Sequence, residues 1–199
     1  MNDSAAGTCL SHWRDVRSVR TDLVMAAQQG DQRAFEALAE AGLDRLYAAA
    51  ALILHDRTLA EDAVQEALVR AWRSLPRLRD PDRFDAWMRS ILVHACMDVA
   101  RSERGRRVER EIPMDLPDGD DFTSLAADRD EVEGAFRTLS PAHRAAFVLR
   151  HLHDLTVPEV AEALHVPLGT AKSRIHYAER AMAAAMDRDQ EAAAQGGLA

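Results

Sequence analysis

Apolar side chains recur at three- and four-residue steps over long stretches of this chain, the spacing of helices that bury one stripe. From Leu23 onward Phe35, Leu38, Leu46, Ala50 and Leu54 follow it, with Gly30 and Asp31 marking a break between helices. The spacing predicts another helix from about Leu59, with Ala63, Ala67 and Trp72 on its inner face, ended by a loop between Pro76 and Pro81. The next starts near Asp82, carries Phe84, Trp87, Ile91 and Val99, and dissolves into "RSERGRRVER". A second helical set follows from Val132, where Ser140 is placed to N-cap a helix that has Pro141 at its first position and runs through "AHRAAFVLRHLH".

The stretch "LTVPEVAEALHVPLGTAKSRIHYAER" predicts two helices and a sharp turn. Thr156 and Glu159 have the spacing of a capping box, so a short helix begins there with Val160, Ala161 and Leu164 inward. It stops at "HVP", because Pro167 cannot continue it but suits the first turn of another helix. Ile175 and Ala178 give that next helix its buried side, and Gly169 allows close packing or close approach to a backbone. Thr170, Lys172, Ser173, Arg174, His176 and Tyr177 are then left to supply donors and positive charge. This is a helix-turn-helix pattern, and it is moderately specific for DNA.

Composition agrees with an all-α chain: 47% of residues are hydrophobic but only 5% are aromatic. The formal charge of −8 would argue against a nucleic-acid partner if it were spread evenly. It is not. Glu111 to Glu133 holds a dense set of acids opposed only by Arg129, with two prolines, and reads as a tether. The architecture expected is therefore an arm over 1–22, a helical domain over 23–110, an acidic flexible linker over 111–131, a helix-turn-helix domain over 132–186 and a frayed tail over 187–199. Lys172 is the only lysine of the chain.

Two cysteines, Cys9 and Cys96, are too few for a disulfide framework, and no apolar run approaches the roughly 20 residues of a membrane span. A cytoplasmic protein is expected. Cys9 and His12 lack a second ligand pair, and His151 and His153 point about 200° apart on a helix, so no metal or other cofactor is expected. Asp62, Gln65, Glu66, Val69 and Arg73 fall at helical steps as a polar stripe, which by periodicity alone is a solvated face. Arg77, Arg79, Arg83 and Arg89 interleave with Phe84 and Trp87 and lead to Arg101, Arg104, Arg106, Arg107 and Arg110. Arginine beside aromatics suits unstacked bases, although Phe84 and Trp87 fit a core equally well by spacing.

The motifs "AEDAVQEALVRAW" and "VPLGTAKSRIHYAER", in this order and spacing around the acidic stretch, resemble the extracytoplasmic-function group of the sigma-70 family of bacterial RNA polymerase sigma factors. The resemblance runs from about Leu23 to Met186 and implies a transcription initiation factor. It implies that Asp62, Gln65, Glu66, Val69 and Arg73 dock on the clamp coiled coil of core polymerase, the second domain meeting its flap. It implies that Arg83, Phe84, Trp87, Arg89, His94, Arg101, Arg104, Arg106 and Arg107 capture the melted minus-ten strand. Gly169, Thr170, Lys172, Ser173, Arg174, His176, Tyr177 and Arg180 would read duplex at the minus-thirty-five element. An anti-sigma inhibitor wrapping both domains is a further implied partner.

The chain departs from the family pattern where Val93, His94 and Ala95 replace a more basic and amide-rich run, so weaker promoter melting is expected there. A competing reading is a stand-alone helix-turn-helix regulator that does not bind polymerase. An enzyme is not expected, because no nucleophile–base pair and no phosphate loop stands out.

Overall fold

Helix ends are set by short polar side chains that satisfy free amides. Asp31 Oδ1 accepts from the amides of Arg33 and Ala34 at 2.9 and 3.3 Å, and Asp56 Oδ1 accepts from Leu59 at 2.9 Å. Gly30, at φ 96°, makes the turn before Asp31. In the computed structural model, which describes residues 20–109 and 130–196, helix α1 covers 20–28, α2 Gln32–Leu54, α3 Arg57–Ser74 and α4 Phe84–Glu109. Two short 3-10 turns, Leu75–Arg77 and Pro81–Arg83, make the α3–α4 connection. The second unit holds α5 Asp130–Thr138, α6 Pro141–His151, α7 Val157–Ala163 and α8 Leu168–Gly196. Among the described residues every regular element is helical, and no helix is long and apolar enough to cross a membrane.

Several element bounds differ from the expected ones. Residues 20–22 belong to the first helix, where Arg20 pairs with Asp85 and Thr21 Oγ1 donates to Asp82 at 2.7 Å. Helix α4 does not dissolve at "RSERGRRVER" but continues to Glu109, and α5 begins at Asp130. Most of the expected arm and linker, residues 1–19 and 110–129, lies outside the described residues, as does Cys9.

In the first unit α2, α3 and α4 pack on one another, and in the second α5, α6 and α7 pack on α8. The inner face of α3 is Ala60, Ala63, Val64, Ala67 and Ala71. Trp72, expected inward, is 37% exposed and lies against Phe35 at 5.1 Å between ring centroids. The cause is phase: 63, 67 and 71 are four-residue steps, and position 72 is rotated about 100° away. On α4 the buried residues are Phe84, Met88, Leu92, Val93, Ala95 and Cys96, with Trp87, Ile91 and Val99 half-buried beside them. Burial pushes the Cys96 thiol up to about 12, so it is an inert core group.

The two units are docked through α2 against α6 and α4 against α7, and their apolar residues form one continuous cluster. At the centre Arg144 of α6, only 7% exposed, donates from Nε to the carbonyl of Ile53 at 2.6 Å. That carbonyl is in the last turn of α2, where helix geometry leaves it without an intrahelical donor. Burial alone brings the guanidinium down to about 10. Around it Ser90 Oγ donates to the Ala163 carbonyl at 3.0 Å, Arg83 pairs with Glu162 at 2.6 Å, and the His94 and His165 rings meet at 4.3 Å.

Replacing Arg144 by Met keeps apolar volume but leaves the Ile53 carbonyl buried without a donor. A loss of about 1–3 kcal/mol in urea unfolding is expected, with faster amide exchange along α2 and α6; unchanged values on both would show that the contact is idle. A second expectation concerns acid. His143 and His153 are held below their usual pKa, foremost by burial, with Arg174 adding at His143 and Arg89 and Arg45 at His153. The unfolded chain therefore takes up protons first, and stability falls as pH drops from about 6.5 through the folded values. The substitution His143→Phe keeps a ring against Tyr177 and should make the decline of Tm between pH 7.5 and 5.5 shallower; an unchanged slope would exclude His143 as a contributor.

Candidate nucleic-acid interface

The capping box at Thr156 forms as its spacing predicts. Glu159 Oε2 accepts from the Thr156 amide at 2.8 Å and from its hydroxyl at 2.6 Å. These bonds hold the Glu159 carboxyl below its usual range. Val160, Ala161, Ala163 and Leu164 are buried, and His165 turns the chain at φ 50°. Leu168 then opens α8, which buries Ala171, Ile175, Ala178 and Ala185. This is a helix-turn-helix whose second helix is pinned along one side.

The opposite side of α8 is left to solvent. Gly169, Lys172, Ser173, His176, Tyr177 and Arg180 are exposed, and Thr170 and Arg174 are half-buried. A Cβ at Gly169 would meet nothing within 4 Å, so this glycine is not required for packing inside the chain. Tyr177, 59% exposed, stacks on His143 at 4.5 Å. His143 Nδ1 is 2.8 Å from Ser140 Oγ, the N-cap of α6, so the tyrosine is buttressed through that cap. Arg174 lies close enough to His143 to disfavour its protonated form, which sets it apart from the freely exposed Lys172.

On α3 all five stripe residues, Asp62, Gln65, Glu66, Val69 and Arg73, are exposed and share one face. A chain of ion pairs crosses from this face to α4. Arg70 meets Glu66 at 2.7 Å and Asp98 at 2.7 Å, and Asp98 meets Arg101 at 2.9 Å. The Arg70 hydrogen bond foremost, with Arg101 adding, holds the Asp98 carboxyl below its usual range. Beside it lies a groove of about 330 Å³ walled by Asp62, Glu66, Asp98, Ser102, Glu103 and Arg106, among others. Sequence periodicity missed Arg70 and Asp98, although Glu66 and Arg70 stand at the four-residue spacing that brings helix side chains together.

The aromatic–arginine segment is divided by the fold. Phe84 is only 5% exposed and belongs to the core, so it presents no face to a base in this arrangement. Trp87 is half-buried, 5.9 Å from Phe84. Arg83 is engaged by Glu162, and Arg89 is half-buried with an Nε that has no partner. Arg101, Arg104 and Arg106 are exposed on the later turns of α4, and Arg107 follows them with its side chain outside the described ones. Val93, His94 and Ala95, where weaker melting is expected, lie in the core and at the junction of the two units in this arrangement. Val93 and Ala95 are core residues at 2% and 0% exposure. His94 accepts or donates at the Ser90 carbonyl, 2.6 Å away, and faces His165 of the second unit. Among the described residues no group of three or more metal-ligating side chains comes together.

Residues 38–106 match the family described as Sigma-70 region 2, and residues 129–182 match Sigma-70, region 4. The RNA polymerase sigma-E factor of Streptomyces avermitilis is 33% identical over 154 residues, 75% of this chain and 83% of that protein. The ECF RNA polymerase sigma factor SigE of Mycolicibacterium smegmatis is 31% identical over 179 residues, 83% of this chain and 68% of that protein. Among solved structures, the sigma factor RpoE in complex with the anti-sigma factor NepR from Bartonella quintana shares the fold, with a TM-score of 0.61, 24% identity, and coverage of 77% of this chain and 96% of RpoE. With regions 2 and 4 following one another along its two helical units, the chain belongs to the sigma-70 family, in the extracytoplasmic-function group, and is a promoter-directing initiation factor rather than a stand-alone regulator.

Proposed function

We propose that the first unit grips core polymerase through the exposed face of α3 and takes the melted minus-ten strand along α4, while α8 reads the minus-thirty-five duplex. The observation that carries this reading is the division of exposed chemistry between the units. Asp62, Gln65 and Glu66 form an acidic and amide face on α3, whereas Lys172, Ser173, His176 and Arg180 form a basic and hydrogen-bonding face on α8. The α3 face, with Val69 and Arg73, suits the clamp coiled coil of the polymerase, and the second unit suits its flap. For the melted strand the residues retained are Trp87, Arg101, Arg104, Arg106 and Arg107, which combine one ring edge with backbone-pairing charge. Phe84 is left out, as core. Lys172 and Arg180 pair with phosphates, and Ser173 and His176 reach base edges.

The docked arrangement is a closed form. Elements centred about 25 base pairs apart lie about 85 Å apart on duplex, far beyond two helical units sharing one core cluster. Reading both elements at once therefore requires the α2–α6 and α4–α7 contacts to part. An anti-sigma partner that stabilises the closed form would silence the factor, and the RpoE–NepR complex supports such a partner.

Reversing charge at Asp62 and Glu66 together, to Lys, should abolish co-purification with core polymerase and start-site-specific transcription in vitro while circular dichroism stays unchanged. Arg70 keeps Asp98 as a partner in that variant, so the fold has no reason to respond; undiminished polymerase binding would remove this face from the interface. For α8, the variant Lys172→Ala should reduce the magnitude of the slope of log affinity against log salt by about 0.9, one phosphate contact. The half-buried Arg174 should give a smaller change, and equal effects from both would overturn the distinction drawn between them.

A further inference from the structure

A cavity of about 100 Å³ lies among the helices of the first unit, with His153 of the second unit in its wall, where roughly 10–15 Å³ is enough to hold one water. Its wall brings together Arg20 of α1, Arg45 of α2, Arg89 and Asp85 of α4, and His153 from the turn after α6. The charges do not balance. The wall holds three guanidiniums against one carboxylate: Asp85 pairs with Arg20 and also acts on Arg89, and Glu159 acts on Arg89 from outside the wall. The Nε of Arg89 is fully buried and has no hydrogen-bond partner among the described residues. His153 feels the same positive field: burial first, then Arg89 and Arg45, holds it below its usual pKa, with only Asp154 opposing.

We propose that this cavity is a binding site for a small phosphate-bearing anion, held by Arg45 and Arg89 of the first unit and His153 of the second. A dianion matches the excess of the wall's three guanidiniums over its one carboxylate. A tetrahedral phosphate also offers acceptors in several directions, whereas a carboxylate offers two oxygens in one plane. Arg45 is itself solvent-exposed, so the cavity has a route to solvent. Because His153 alone of the wall comes from the second unit, an anion bound there favours the closed arrangement by the share of its binding that the His153 contact supplies. The consequence for initiation rests on the reading that the units must part to engage a promoter; the site itself does not.

The test is isothermal titration of the full chain with inorganic phosphate, at constant ionic strength set by chloride, alongside glycerol phosphate and a short single-stranded oligonucleotide. Saturable binding at one site is expected, with a rise in Tm that follows phosphate concentration. Arg45→Gln and Arg89→Gln should each weaken binding at least tenfold and remove the Tm rise. Arg33→Gln, an exposed change on α2 outside the cavity, should leave both intact. Arg45→Gln changes an exposed residue and Arg89→Gln breaks no hydrogen bond of Nε, so both variants remain informative about folded protein. Binding of glycerol phosphate as tightly as of phosphate would identify a phosphomonoester as the class of ligand, and binding of phosphate alone would restrict it to the free ion. No saturable binding, or equal binding in all variants, overturns the proposal. So does displacement of phosphate by the oligonucleotide with loss of oligonucleotide affinity in Arg45→Gln, because the arginines would then serve strand capture. If phosphate binds as expected yet leaves transcription unaffected, the site stands and the closed-form reading of initiation falls.

Discussion

A single buried guanidinium sets how the two halves of this factor sit together. Arg144 leaves the solvent to meet the Ile53 carbonyl, and no carboxylate is recorded as its partner. A buried cation satisfied only by carbonyl dipoles is retained when the acceptor has no other way to be paired, and the end of α2 is such a place. The negative end of the α2 dipole adds to the attraction. Ser90 to Ala163 and Arg83 to Glu162 add polar contacts at the α4–α7 side of the same junction. The surface ion pair Arg83–Glu162 contributes little by itself, because both side chains are more than half exposed.

The alanines of α3 make that junction geometrically possible. Ala60, Ala63, Ala67 and Ala71 are all at 0% exposure, so α2 and α4 approach α3 with almost no side chain between the backbones. Close approach on the inner face leaves the large residues, Trp72 and Val69, on the outside. The same choice that packs the core thus leaves outside the partly apolar, partly acidic face that is proposed to meet polymerase. Packing and partner recognition are two sides of one helix, and a change at an alanine alters both.

What was legible in the sequence was local. Asp31 after Gly30, Ser140 before Pro141, and Thr156 with Glu159 each specify a helix start through chemistry confined to a few residues, and all three form. What was not legible was phase and pairing. The run from Ala63 fits an inner face ending at Ala71 or at Trp72 until the neighbouring helices are in place. Phe84 beside arginines reads as a base platform until Met88 and Leu92 show which side of α4 is core. In the sequence Arg144 does not stand out, Arg89 reads as a strand-pairing arginine and His153 raises only a metal question, because burial by a distant part of the chain leaves no mark on local spacing.

The acidic stretch between the units acquires a mechanical meaning from these contacts. Residues 110–129 separate α4 from α5, and a chain of that length reaches roughly 70 Å when extended. The two reading surfaces can therefore be carried to separated promoter elements without the chain breaking, but only after the Arg144 contact and the His94–His165 contact are lost. That loss costs free energy, which contacts with polymerase and DNA must exceed. In the proposed function, specificity arises when polymerase holds α3, promoter DNA holds α8, and the covalent link between the units keeps the second contact intramolecular.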